Sequence, residues 1–222
     1  MKILSISTSS NIASVSISEN DDCILELNIN NNKTHSETLM PLIDELFKTT
    51  GLNSSDIDAV ACDIGPGSFT GIRIGISSIK AIAESLNIPV IDVSSLEALA
   101  YNIQDENCKT ICSLIDARNN QVYCGIFDQD HNLLEDYLAD DINIVMETLN
   151  KYEDILFVGD GAIIHKDLLG IKDFKSDNVI HSKSIAKCAY NKFKNNNTKT
   201  ADTITPLYLR KSQAERMKQK NG

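Results

Sequence analysis

Basic residues are scarce in this chain. Lys and Arg number 21 against 31 Asp and Glu, a net charge of −10 over 222 residues, with a pI near 4.8. Affinity for nucleic acid comes largely from cationic side chains that neutralise phosphates, so a surface this acidic is not expected to hold RNA or DNA by itself. The last stretch runs the other way: Arg210, Lys211, Arg216, Lys218 and Lys220 face only Glu215, which reads as a solvated helix end. No apolar run approaches the roughly 18 residues of a membrane span. Serines interrupt the apolar start after Lys2, which speaks against an export signal. The six cysteines, at 23, 62, 108, 112, 124 and 188, form no Cys-x-x-Cys pair. Cys23, Cys62, Cys112 and Cys124 fall inside apolar strands, where a thiol behaves as a small hydrophobe. Reduced core cysteines in a cytoplasmic protein are the expectation.

Catalytic signatures are missing as well. The chain has no Gly-x-x-x-x-Gly-Lys-[Ser/Thr] phosphate loop. Its histidines, at 35, 131, 165 and 181, have no second His at zinc-motif spacing; in His35-Ser-Glu-Thr-Leu39 the closing position is a leucine. A zinc site needs three or four convergent ligands, so no metal, cofactor or catalytic residue is assigned. Asp63, Asp92 and Asp116 end strands and can face a cleft, but strand-end aspartates are also common turn formers.

What is present is a regular α/β layout. Ile3–Ser7, Ala13–Ser18 and Cys23–Ile29 alternate apolar and polar residues and read as strands. A helix follows from about Ser36 to Thr49, with Thr34 as N-cap and Gly51 as terminator. Then come strand Ala59–Asp63, helix Phe69–Leu86, strand Val90–Asp92 and helix Ser95–Asn102, giving the order βββαβαβα. The second half restarts it with strands Ile111–Ile115, Gln121–Asp128 and Leu133–Tyr137, helix Ile142–Leu149 and strand Ile155–Val158. Each half places a Gly-x-Gly directly after its fourth strand, at Gly65-Pro66-Gly67 and Gly159-Asp160-Gly161. Two such domains in tandem suggest the ribonuclease-H-like, actin-like architecture with a cleft between halves. Residues 1–104 would form the first domain and 105–222 the second, joined by the polar stretch Gln104–Lys109; Leu207–Lys220 is placed to pack back on the first.

The turn at Gly65 admits two readings. Free N–H groups and a helix dipole point at it, so Gly65, Gly67 and Ser68, with Asp63 beside them, can bind the phosphate and metal of a nucleotide. Alternatively the glycines only permit a tight strand-to-helix crossing. The helices on either side are more distinctive. At about 100° per residue, Ile72, Ile76, Ile79, Ala83 and Leu86 cover the sheet, while Ile74 and Ala81 lie almost opposite, with Ser78 and Ser85 beside them. Small residues suit close approach by another helix. In the preceding helix, Met40 and Phe47 extend the apolar stripe beyond what one-sided burial needs. A protein interface over Met40, Ile43, Phe47, Thr70, Ile74, Ser77, Ser78, Ala81 and Ser85 is therefore expected.

Taken together, Ile3-Leu4-Ser5-Ile6-Ser7-Thr8-Ser9, His35-Ser36-Glu37-Thr38-Leu39-Met40-Pro41, Gly65 to Gly75, Asp116-Ala117-Arg118 with Val122-Tyr123, Gly159-Asp160-Gly161 and Pro206-Leu207-Tyr208-Leu209-Arg210 resemble one family, the bacterial TsaB proteins, also called YeaZ. The resemblance implies a non-catalytic, actin-like subunit of the machinery that makes threonylcarbamoyladenosine at adenosine 37 of tRNAs. It implies pairing through the two N-terminal-domain helices with a TsaD-type catalytic subunit, and binding of a TsaE-type ATPase to that pair. When the subunit is alone the same helical seam is expected to support a homodimer, because a partner of the same fold presents similar helices. tRNA is expected to be contacted only through the complex. Ser7 stands where the family usually carries Asp, which weakens the rival reading of an actin-like, ATP-binding enzyme acting on its own.

Overall fold

A computed structural model describes residues 1–31, 33–103, 108–172, 174 and 177–210. Alternation along the first segments gives one sheet with two unlike faces. Strands β1 (Lys2–Ser7), β2 (Ala13–Glu19) and β3 (Asp22–Ile29) form an antiparallel meander. After helix α1 (His35–Thr50), strand β4 (Ala59–Asp63) returns parallel to β1. After helix α2 (Phe69–Leu86), strand β5 (Val90–Val93) lies parallel to β4, so the order is β3-β2-β1-β4-β5. Helix α1 ends at Gly51, whose φ of 70° is a left-handed conformation that glycine adopts without strain.

The second half repeats the plan in shorter form. Helix α3 (Ser95–Ala100) leads to strands β6 (Thr110–Asp116), β7 (Gln121–Asp128) and β8 (Leu138–Asp141). Helix α4 (Ile142–Leu149), strand β9 (Ile155–Val158) and helices α5 (Asp160–Ile164) and α6 (Ser182–Lys194) follow. Among the described residues this sheet has four strands, in the order β8-β7-β6-β9, with no counterpart of β5. The expected strand Leu133–Tyr137 is displaced. Leu133 makes one bridge to Phe127, Glu135 and Asp136 interrupt the pairing, and the strand resumes at Leu138 against Gln121–Cys124. Cys23 is exposed rather than buried, because β3 is the edge strand; Cys62, Cys112 and Cys124 are buried and free. Residues 104–107 of the expected linker and 211–220 of the basic segment lie outside the described residues. No helix among the described residues is long and apolar enough to cross a membrane.

The core is built in three parts. Leu4, Ile6, Val15, Ile17, Val60 and Cys62 pack one face of the first sheet against α1 and α2. The far face of the second sheet packs on α4 and α5 through Leu114, Val122, Val145 and Leu149. Between the sheets lies a shared core, in which Ile3, Ala61 and Ile91 meet Leu96 and Leu99 of α3, Ile111 and Phe127 of the second sheet, and Ile185 and Ala189 of α6. Each buried Ile or Leu contributes about 1.5–3 kcal/mol. The helices cross over: α6 lies on β1, β2, β4 and β5, while α3 lies on β6 and β7. The surface beneath α6 is largely serine, since Ser5, Ser7, Ser14, Ser16 and Ser18 are all fully buried. Such short side chains let the helix sit close. Ser14 Oγ donates to Ser182 Oγ at 2.8 Å and accepts from the Ser182 N–H at 2.9 Å, whereas the hydroxyls of Ser5, Ser16 and Ser18 have no partner among the described residues.

Candidate functional site

Helix α2 opens at Ser68, whose hydroxyl accepts the Gly71 N–H, and its buried stripe is Gly71, Ile72, Gly75, Ile76, Ile79 and Ala83. The opposite stripe therefore faces out. Thr70, Ser77, Ala81 and Ser85 are exposed, and Ile74 and Ser78 are half-buried. From α1 comes Met40, 52% exposed, with Phe47 half-buried against the α1–α2 core. Ile43 is a correction to the expected interface. It is only 4% exposed, because it sits about 60° round the helix from Met40 and only about 40° from Leu39, which faces the sheet. Between the two helices runs a groove of about 450 Å³ lined by Leu39, Met40, Thr70, Arg73 and Ile74. Arg73 was legible only as part of a polar flank; its place on the groove depends on how α1 and α2 lie together.

The glycine turn brings Asp63, Gly65, Gly67 and Ser68 together, but around the protein's own backbone. A Cβ on Gly67 would stand 2.5 Å from the Ser9 carbonyl oxygen, and one on Gly71 would collide with the Thr8 carbonyl. The Ser68 N–H donates to Ser9 O at 2.7 Å, and Thr8 Oγ1 donates to Gly71 O at 2.8 Å. His35 Nε2–H donates to Ser10 O at 2.8 Å and holds the same segment down. Thus the space offered for a phosphate is filled by Thr8–Ser10. Asp63, 1% exposed, accepts from Ser7 Oγ at 2.9 Å, from the Gly65 N–H at 2.8 Å, and from the hydroxyls of Ser9 and Ser95. Burial raises its pKa in spite of those four donors. This arrangement does not fit a magnesium–nucleotide complex at Asp63, because the carboxylate is enclosed and its acceptor capacity is committed internally. In the second half, Asp116 gives its N–H to Asp160 Oδ1 at 3.0 Å, while Asp92 of β5 in the first half pairs with Lys199 at 2.6 Å.

A strap from the C-terminal segment reaches the same region. The Leu207 N–H donates to Ile64 O at 2.9 Å, and Tyr208 stacks on Phe69 with ring centroids 4.7 Å apart. Arg73 Nε–H donates to the Tyr208 hydroxyl at 2.8 Å, so the strap orients a side chain of the groove. Arg210 continues to Gln121 and to the Ala117 carbonyl in the second half.

A family model described as TsaD, tRNA N6-adenosine threonylcarbamoyltransferase, matches residues 29–218. The tRNA threonylcarbamoyladenosine biosynthesis protein TsaB of Bacillus subtilis (strain 168) is 32% identical, over 97% of this chain and 96% of its own length. The chain belongs to the TsaB family. TsaB of Haemophilus influenzae is 29% identical over 80% of each chain. Among solved structures, YeaZ from Pseudomonas aeruginosa superposes with a TM-score of 0.80 at 24% identity, covering 94% of this chain and 99% of that one. The activator of 2-hydroxyisocaproyl-CoA dehydratase from Clostridium difficile, solved with bound ADPNP, gives 0.56 at 11% identity over 94% of this chain and all of that one. These likenesses establish the tandem ribonuclease-H-like fold.

Within that fold the histidines of this TsaB-family chain are dispersed. His35 serves the Thr8–Ser10 segment, His131 stacks on Tyr101, and His181 lies between Glu26 and Asp177. Among the described residues no group of three or more His, Cys, Asp or Glu could hold a metal ion.

Proposed function

We propose that this protein is a non-catalytic scaffold subunit for threonylcarbamoylation of adenosine 37 in tRNAs. It pairs through the α1–α2 face with a TsaD-type catalytic subunit, and the pair is served by a TsaE-type ATPase. The groove between α1 and α2 carries this reading. It offers an exposed methionine, a half-buried isoleucine and a run of serines and alanine that permits close helix packing. Family membership supports the choice of partner, and the enclosed Asp63 argues against independent nucleotide turnover. Alone, the same face serves a homodimer, because a partner of like fold presents like helices. Ile74→Asp combined with Ala81→Asp should abolish co-purification with the TsaD-type subunit while circular dichroism stays that of the parent. Retained pairing overturns the reading, as does magnesium-dependent ATP hydrolysis by the isolated protein.

A further inference from the structure

Lys187, Tyr190, Asn191 and Lys194 recur at spacings of three, four and seven, so they share one face of α6. With the end of α3 and the loop after β7 they line a second pocket of about 450 Å³, within the range of small-molecule sites. Its floor is apolar, from Ile103 and Ile111.

Two features give this pocket a chemistry. First, its aromatic walls are fixed in place. Tyr101 and His131 stack with centroids 4.2 Å apart and 24° between planes. Among the described residues His131 Nε2 meets two carbonyls, Ala100 O at 3.1 Å and Ile103 O at 3.2 Å, so that nitrogen carries the proton and donates. The Tyr101 hydroxyl accepts from Asn191 Nδ2 at 3.0 Å. Second, its cations have no carboxylate partner among the described residues. Lys183, Lys192 and Lys199 are each paired with a carboxylate, but neither Lys187 nor Lys194 forms an ion pair with a described residue; Lys194 Nζ lies 4.7 Å from the Tyr190 ring centroid. Among the described residues Asp21 is the single carboxylate of the lining, so the described lining is net positive on a chain of net charge −10.

We propose that this pocket binds a nucleoside monophosphate, with the base against the aromatic walls and the phosphate between Lys187 and Lys194. A flat π surface with two ammonium groups that pair with no described carboxylate selects a planar anion, and the Asp21 carboxylate can accept from a sugar hydroxyl. The acidity of the whole surface disfavours a polyanion, which points to a single nucleotide rather than a strand. This proposal is independent of the α1–α2 face.

Adenosine monophosphate is the probe, titrated calorimetrically into the full chain at low salt, with adenosine, inorganic phosphate and a short oligoadenylate alongside. The expected result is sub-millimolar binding of the monophosphate. Adenosine and phosphate should each bind at least about ten-fold more weakly. Lys187→Gln with Lys194→Gln should weaken the monophosphate at least about ten-fold, and Ile74→Asp should leave it unchanged. Lys194 is exposed and Lys187 half-buried, and circular dichroism checks that the double variant is folded. No heat at about 10 mM monophosphate overturns the proposal. So does undiminished affinity in the double variant, or tighter binding of the oligonucleotide than of the monophosphate.

Discussion

Ser7 Oγ donates to Asp63 Oδ2 at 2.9 Å, so the C-terminal ends of β1 and β4 meet through one carboxylate and one hydroxyl. A second carboxylate there would be buried beside the first. Ser7→Asp is expected to lower stability at neutral pH by about 2–3 kcal/mol through like-charge repulsion and burial. Because both carboxyls would then have raised pKa values, the folded state gains protons more readily than the unfolded one, and stability should return on acidification. Thermal melts at pH 7.5 and pH 5 check this; equal losses at both would mean the two groups do not share a site.

Removing the carboxylate itself should be more damaging than neutralising it. Asp63→Ala leaves the hydroxyls of Ser7, Ser9 and Ser95 and the Gly65 N–H without their acceptor, at a cost of about 2–4 kcal/mol. Asp63→Asn keeps an acceptor oxygen and removes the buried charge, so it should lose less. Urea titration of the two variants orders them.

Met40 and Ile43 test how the α1 helix is turned. Asp at position 40 enters solvent and should leave the melting temperature within about 2 °C of the parent while weakening partner binding. Asp at position 43 enters the core and should cost about 4 kcal/mol or more. Melting curves and pull-downs on both variants separate the two roles.

Docking of α6 should depend on pH. Glu26 accepts from His181 Nδ1 at 3.2 Å, from the Lys183 N–H at 3.0 Å and from the Ser182 hydroxyl at 3.2 Å, capping the helix from a distant strand. Burial alone would raise its pKa, but hydrogen bonds from His181, Lys183 and Asn28 outweigh that and hold it at about 2. The hydrogen bond to Glu26 is the largest cause of the raised His181 pKa, with Asp177 assisting against burial. His181 therefore contributes fully below its ordinary pKa of 6.5, and the contribution is lost as pH rises through the higher folded value. Glu26 contributes fully above its ordinary 4.5 and loses that contribution as pH falls toward about 2. Stability of the α6 region should peak between those ordinary values, declining above 6.5 as His181 deprotonates and below 4.5 as Glu26 protonates. Hydrogen exchange of α6 amides across pH 5–8, corrected for intrinsic rates, should show the decline, and His181→Gln should flatten it.

The partnerless serines beneath α6 invite the opposite sign of substitution. Ser16 Oγ is buried without a hydrogen bond to any described residue, so Ser16→Ala removes an unsatisfied group at almost constant volume. A gain of about 0.5–1 kcal/mol is expected, or a rise of about 1–4 °C in melting temperature.

The sequence was most informative where a helix or strand carries strong periodicity and a defined end. Helix α2 runs Phe69–Leu86 and β4 runs Ala59–Asp63, matching their expected bounds, because caps and glycines mark them. Helix α6 was not anticipated. Its inward stripe is made of Ile185, Ala186, Cys188 and Ala189, too small to stand out among four lysines, and the sheet face it covers is serine. The glycine turn shows a different limit. Its sequence announces that something approaches the backbone, but only the fold reveals that the visitor is Thr8–Ser10 rather than a phosphate. Ile43 failed for a geometric reason, since three residues fall about 60° short of a full turn and separate an outward methionine from an inward isoleucine.

The exchange of α3 and α6 between the two sheets has a consequence for biosynthesis. While the ribosome is still making the later strands, the first sheet has its α1–α2 side covered and its serine side bare, because the helix that closes it ends only at Lys194. A nascent chain halted anywhere before that point presents an open β surface to chaperones and to other chains. Fragments cut at the midpoint should therefore precipitate unless both pieces are produced together, and the two lobes should melt in a single transition.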